Sequence, residues 1–176
     1  LNLHELGMRQ QLGELQNGHL DVAFLRLPVR YWPVGLTSLT LLSEPIIVAL
    51  PTGHPLASRR AIPIEALADE SFIAMRYMEG VGFHAQIADI CRAHQFVPRI
   101  TQHAQQLAAL ASLVGAGLGV AFVPKSLVKL QIAGVVYRPL TNVREISSLA
   151  LVFRKSEPAP AVAFFIEKVR RTLRSR

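Results

Sequence analysis

The sequence predicts an α/β fold, because short apolar runs of strand type alternate with helical apolar stripes along its 176 residues. Hydrophobic residues make up 51% and charged residues 18%, a balance that supplies a large core and excludes a disordered chain. Two proline-marked points, Leu50-Pro51 and Val123-Pro124, stand where a middle section leaves and rejoins the rest. They predict two lobes, 1–50 with 124–176 and 51–123, joined by two neighbouring chain crossings in the manner of a hinge.

Met8, Leu12 and Leu15 recur at helical spacing, and Asn17-Gly18 supplies a stop. Leu20 to Leu25 then reads as a strand interrupted only by Asp21, and Pro28 and Pro33 bracket a loop. Leu39 to Leu42 and Ile46 to Leu50 read as two strands around Glu44-Pro45. Pro51-Thr52-Gly53-His54-Pro55 is turn chemistry, and Pro63 can open a short helix over Ile64 to Ala68 as its first residue. Ser71 to Met75 is the next strand, and the Glu79-Gly80-Val81-Gly82 loop leads to a helix with Phe83, Ile87, Ile90 and Cys91 on one face. Arg99 to His103 is a further strand. Leu107, Leu110, Ala111 and Val114 repeat the helical stripe, which Gly115, Gly117 and Gly119 terminate. Val120 to Val123 is a strand stopped by Pro124, followed by a short helix near Ser126 to Leu130 and strands near Val135 to Tyr137 and Leu149 to Phe153. A last helix carries Val162, Phe165, Ile166, Val169 and Leu173 on one face. Alternation of this kind implies a mostly parallel sheet covered on both sides.

No apolar run is long enough to span a bilayer, so no membrane partner is expected. Leu1 to Gln11 carries His4, Glu5 and Arg9 and does not read as a signal peptide. The single cysteine, Cys91, cannot form an internal disulfide and suits a reducing cytoplasm. The net charge of +7 raises the question of nucleic acid. Residues 1–124 hold eight Lys/Arg and nine Asp/Glu, whereas 125–176 hold eleven and three, so the excess is entirely C-terminal. Much of it lies at Lys168, Arg170, Arg171, Arg174 and Arg176, where a solvated helix face accounts for it.

The chemistry of catalysis is missing. No serine sits in a Gly-x-Ser-x-Gly elbow, and Ser71, Ser112 and Ser126 have no evident activating partner. The six histidines form no His-Glu-x-x-His pair, and there is no Cys-x-x-Cys, so no metal, cofactor or catalytic residue is expected. Gly115-Ala116-Gly117-Leu118-Gly119 follows a helix and precedes a strand, the reverse of a nucleotide-binding turn, and reads as a C-cap with close backbone packing. Cys91 lies on an apolar stripe and reads as a packed thiol.

Ligand binding explains other residues better. Arg26 ends an apolar strand before Leu27-Pro28, so its guanidinium would emerge at the C-terminal edge, where α/β sheets place ligands and where it could hold a carboxylate. The alternative is a structural ion pair with Asp21 or Glu44. Gly7 and Met8 are placed where a strand turns into a helix whose backbone N–H groups can meet an anion, although Met8 also suits a core. Met75 and Arg76 end one strand, and Gln102 and His103 end the next; Arg76 and His103 suit either a ligand or plain solvent exposure. Phe122 stands at the second crossing, where it reads as hinge core sooner than as a shelf for the ligand.

Three segments in order carry a resemblance. They are Leu20-Asp21-Val22-Ala23-Phe24-Leu25-Arg26, Glu44-Pro45-Ile46-Ile47-Val48-Ala49-Leu50-Pro51 running into His54-Pro55-Leu56-Ala57, and Leu113-Val114-Gly115-Ala116-Gly117-Leu118-Gly119-Val120-Ala121-Phe122-Val123-Pro124. Together they resemble the effector-binding domain of LysR-type transcriptional regulators over nearly the whole chain. The resemblance implies a two-lobed, periplasmic-binding-protein-like (type II) fold and a small-molecule effector held between the lobes. Arg26, Gly7 and Met8 would face it from one lobe; Met75, Arg76, Gln102, His103 and Phe122 would face it from the other. Met8 stands where some relatives have a hydroxyl residue for an effector carboxylate. The resemblance also implies a homodimer or homotetramer, and promoter DNA bound through a separate N-terminal helix-turn-helix absent from these residues. The family's domain normally opens with one further strand and helix before Leu1, which would leave the stripe Met8-Leu12-Leu15 short of neighbours. Helices 8–17 and 83–94 are then the expected contacts between copies. Two rival readings are a solute-binding protein serving a transporter, which shares the fold, and an α/β enzyme, which the missing acid/base and nucleophile pairs disfavour.

Overall fold

Helix α1, Met8–Gln16, ends where the Asn-Gly pair predicts. Gly18 takes the left-handed conformation at φ +78, which only glycine adopts without strain, and its N–H donates to Leu15. The computed structural model describes residues 2–29, 32–76, 82–156 and 159–175. The following strand β1, Val22–Leu27, buries Ala23 and Leu25 against Leu12 and Leu15 of α1. The alternation of inward and outward residues is the signature of a strand with one face on a helix.

Strand β2, Leu36–Pro51, is a single 16-residue strand where the sequence suggests two. Pro45, which does not break it, is exposed and stands just before Ile46, where pairing with residues 121–124 begins, and proline is tolerated at the margins of a ladder. Strand β8, Ile146–Arg154, pairs antiparallel with β1, setting Arg26 opposite Leu149, and lies between β1 and β2. Helix α4, Pro160–Arg174, sends Ile166, Val162 and Val169 into a cluster with Leu151 and Phe153 of β8, and leaves Lys168, Arg170, Arg171 and Arg174 in solvent. Four of the cations in the basic C-terminal stretch are thus exposed on one helix; Arg176 lies outside the described residues.

The chain divides into two compact units, Leu1–Ser43 with Ser148–Arg176, and Glu44–Ser147. These bounds differ from the lobe limits read at Pro51 and Pro124. The reason is pairing: the second half of β2 bonds antiparallel to β6, Ala121–Pro124, and to β7, Val135–Thr141, which draws residues 44–50 and 124–147 together. Strands β2 and β8 each run from one unit into the other.

In the second unit, β3, Ile62–Pro63, pairs parallel with β7. Pro63 thus belongs to a strand and caps the short 3₁₀ turn Ile64–Leu67, where the sequence suggests the first residue of a helix. Another such turn, Pro55–Ser58, is capped by the His54 side chain, whose Nδ1 accepts from the Leu56 N–H. Strand β4, Ser71–Met75, pairs parallel with β5, Arg99–Ala104, across helix α2, Gly82–Ala93. Helix α3, Leu107–Gly115, leads to β6. Of the expected Gly-rich loop before α2, Glu79, Gly80 and Val81 lie outside the described residues.

The expectation of a mostly parallel sheet is overturned. Parallel pairing joins β3 to β7 and β4 to β5, with a further parallel bridge between Phe72 and Val120, whereas β1/β8, β2/β6 and β2/β7 are antiparallel. The strands that pair antiparallel with β2 reach it from far along the chain, β6 after residues 52–120 and β7 after β6, and among the described residues only the α2 crossover delivers a strand parallel to its predecessor.

The glycine segment after α3 behaves as a cap and a close approach. Gly117, at φ +79, closes the helix through its N–H to Val114, and Gly119 passes so near β4 that a Cβ would sit 2.4 Å from the Ser71 carbonyl oxygen. Reciprocal bonds from Ile73 N–H to Val120 O and from Val120 N–H to Ser71 O, each 2.8 Å, tie β4 to the start of β6. Cys91 is fully buried beside Ile90, Phe72 and Leu67, and burial pushes its thiol up to about 12.

Candidate functional site

In the first unit, Arg26 occupies the last but one position of β1 and is partly buried. Nearby in sequence, Asp21 stands 3.5 Å from Arg154. Arg154 is a residue the sequence did not single out. It also donates to the carbonyls of Leu15 and Leu20, and so fastens the α1–β1 turn to β8. Gly7 is the extended cap of α1, with ψ 152, and is exposed. The expected strand before it is not formed: residues 2–6 pair with no strand among the described residues, and Leu3 is 83% exposed. Met8 rests partly buried against the Leu12–Leu15 cluster. That stripe is covered within its own unit, Leu15 completely, so it is not the bare patch from which self-association is expected.

In the second unit, the expected residues gather at the C-terminal edge of the parallel pair β4/β5, the edge at which parallel strands place ligands. Met75 ends β4, and the N–H of exposed Arg76 donates to Ala104 at 2.8 Å, which keeps the two strand ends level. Gln102 and His103 lie opposite Ile73 and Ala74 and are exposed. Across from them, the first turn of α2 presents Phe83 and His84. Burial, and next the charge of His103, holds the His84 imidazole below the ordinary histidine range. His84 is marked in the sequence only as a polar residue in the first turn of the helix that opens on Gly82.

Met75 and Phe122 reach the same place from different strands. Both line a cavity of about 130 Å³ beneath α2, together with Phe72, Phe83 and His84. A wider groove of about 530 Å³ in the first unit runs past Leu3, Gln11, Phe24 and Phe165 and includes none of the expected residues. No group of three or more His, Cys, Asp or Glu among the described residues could hold a metal ion. No helix among them is long and apolar enough to cross a membrane.

Comparison with known proteins agrees with this architecture. The chain is 31% identical over 166 residues to the HTH-type transcriptional regulator AlsR of Bacillus subtilis (strain 168), covering 94% of this chain and 54% of that protein. It thus spans a little over half the length of the curated relatives it matches. Two solved structures share the fold: the BenM effector-binding domain with benzoate, at TM-score 0.79 and 24% identity, covering 96% of this chain and 76% of that one; and the effector-binding domain of QuiR with shikimate, at TM-score 0.83 and 20% identity, covering 96% and 79%. The fold is accordingly the type II periplasmic-binding-protein-like one. The model of the LysR substrate-binding domain matches residues 1–174, so this chain, with its two units joined by β2 and β8, belongs to the LysR substrate-binding domain family.

Proposed function

We propose that this chain senses a small organic acid on behalf of a bacterial transcriptional regulator. The observation that carries the acid reading is Arg26, a partly buried guanidinium at the C-terminal end of its strand, in a family whose solved members include domains with benzoate and shikimate bound. The guanidinium fork matches a carboxylate bidentately. Gly7 and Met8 of the first unit, and Met75, Arg76, Gln102, His103 and Phe122 of the second, are the further residues we assign to the effector, held between the lobes as the resemblance implies. An effector acts only through a difference in its affinity for two arrangements of the protein, so the role requires no catalysis. Readout passes through homodimer or homotetramer geometry to promoter DNA, which is bound by a part of the protein outside these residues, in the cytoplasm.

The test is a thermal-shift screen against carboxylate and neutral metabolites, because a ligand of the native state raises its apparent stability. A concentration-dependent rise with one carboxylate class, absent in Arg26→Ala, is the expected result. A rise of the same size in Arg26→Ala, or a response to neutral compounds alone, would reject the acid reading.

A further inference from the structure

Helix α4 packs one face inward and divides the other along its length. Val162, Ile166 and Val169 meet Leu151 and Phe153 of β8 within the first unit. The first two turns hold no charged residue, yet Ala161, Ala163, Phe164 and Phe165 are exposed there, Phe164 by 73%. The last two turns carry four exposed cations, Lys168, Arg170, Arg171 and Arg174, against one carboxylate, Glu167. Phe164, Lys168 and Arg171 stand at i, i+4 and i+7, so one ring and two cations share a stripe on the side away from the core. Single exposed apolar side chains are ordinary, but two adjoining phenylalanines beside arginines have the composition of an interface core. Glu167 lies 3.2 Å from Arg171 in an exposed pair, which costs little to exchange for another carboxylate.

We propose that the outer face of α4 docks an acidic amphipathic helix of a second protein, whose apolar stripe lies on Phe164 and Phe165 and whose carboxylates meet Lys168 and Arg171. The cations set the sign of the partner, and the two rings require that it also carry apolar side chains. A lipid surface would need the apolar face of α4 that β8 already covers. Duplex DNA would satisfy the cations, but its phosphates offer the rings no apolar surface. A second copy paired about a two-fold axis would run antiparallel, setting cations opposite the uncharged half of its neighbour and supplying no carboxylate beyond Glu167. Helix α4, with 15 residues, is roughly 22 Å long, so the contact is at the small end of interfaces and is transient. It contains none of the residues assigned to the effector and does not rest on the organic-acid reading.

The probe is a fluorescein-labelled synthetic helix of glutamate with one stripe of leucines, titrated with the whole chain and read by anisotropy. Saturable binding with a micromolar Kd is expected, weakening several-fold between about 0.05 and 0.3 M salt as surface charges are screened. Phe164→Ala should weaken it about ten-fold at either salt, the effect of losing one central aromatic anchor. Lys168→Gln with Arg171→Gln should weaken it about ten-fold at low salt and remove most of the salt dependence. All three positions are exposed, so the variants should keep the parent's urea midpoint. A peptide with alanine in place of leucine should lose about ten-fold on the parent and nothing further on Phe164→Ala, which puts the leucines on that ring. Equal binding by Phe164→Ala and the parent would overturn the proposal. So would a DNA duplex or phosphatidylglycerol vesicles that bind more tightly than the peptide and lose nothing in Phe164→Ala. A dimer of the parent that Phe164→Ala dissociates would overturn it too, making this face a contact between copies.

Discussion

Glu44 accepts two hydrogen bonds from Ser126, one from its backbone N–H and one, at 2.9 Å, from its hydroxyl. The two residues are 82 apart in sequence, and Glu44 is only 5% exposed. Its carboxylate fastens the start of the 3₁₀ turn Lys125–Leu130 to β2 at the first residue of the second unit. Removing the Ser126 hydroxyl leaves the backbone N–H bond in place, whereas removing the carboxylate takes away both bonds at once. Ser126→Ala should therefore cost about 1 kcal/mol and Glu44→Ala about 2–3 kcal/mol, because removing the carboxylate leaves both Ser126 donors unmatched. Urea denaturation midpoints test the order of the two losses.

Gly117 and Gly119 differ in what a side chain would meet. At Gly117 nothing lies within 4 Å of an added Cβ and only the left-handed backbone is strained, so Gly117→Ala should cost about 1 kcal/mol. At Gly119 the backbone, at φ +150, is glycine-only and the Ser71 carbonyl is in the way. Gly119→Ala should cost about 3 kcal/mol or more and part the Ser71–Val120 bond, visible as faster amide exchange at Val120.

Arg26→Lys keeps the charge but loses the fork. If the effector is a carboxylate, its affinity should fall about ten-fold in Arg26→Lys and further in Arg26→Ala, as measured by calorimetry. Equal affinities in the two variants would count against bidentate recognition.

His84 links stability to pH. Its folded-state imidazole is held below the ordinary range by burial and then by His103, so the unfolded chain binds this proton more readily than the folded one. The neutral form's advantage is complete above the unfolded histidine value, near pH 6.5, and is lost as the pH falls through the lower folded value. The melting temperature of His84→Phe should therefore drop less than that of the parent between neutral and mildly acidic pH. Removing the neighbour's charge in His103→Gln should shift the transition of His84 upward, which its imidazole NMR signals would report.

Cys91 should be inert in the native protein. It is fully buried and its thiol is pushed up to about 12, so almost no thiolate exists at neutral pH. A coloured disulfide reagent should react only at the rate of unfolding, and quickly in denaturant. Rapid native labelling would show that α2 opens locally.

Most helices and strands were legible in the sequence because their signals are local. Leu12 and Leu15 announce the buried face of α1, Asn17-Gly18 its end, and Gly117 the end of α3, all within a window of a few residues. Phe83, Ile90 and Cys91 likewise mark the face α2 buries. The role of Gly119 was foreseen as close backbone approach, and Ser71 is the backbone it approaches. The family followed from three segments that span the chain.

Partners were not legible. Nothing near Pro45 says that β2 runs through it unbroken, because that depends on β6 and β7 arriving from residues 121–141. Strand direction is not legible for the same reason: alternation of elements along the chain does not say which strand comes to lie beside β2. Arg154 on Asp21, Glu44 on Ser126, and the meeting of Met75, His84 and Phe122 at one cavity join residues from separate elements. Periodicity and turn chemistry are encoded in each stretch of backbone, so the sequence by itself determined the elements and the family. Pairing, burial and the shape of a cavity depend on which distant surfaces close on one another, and only the tertiary structure decided those.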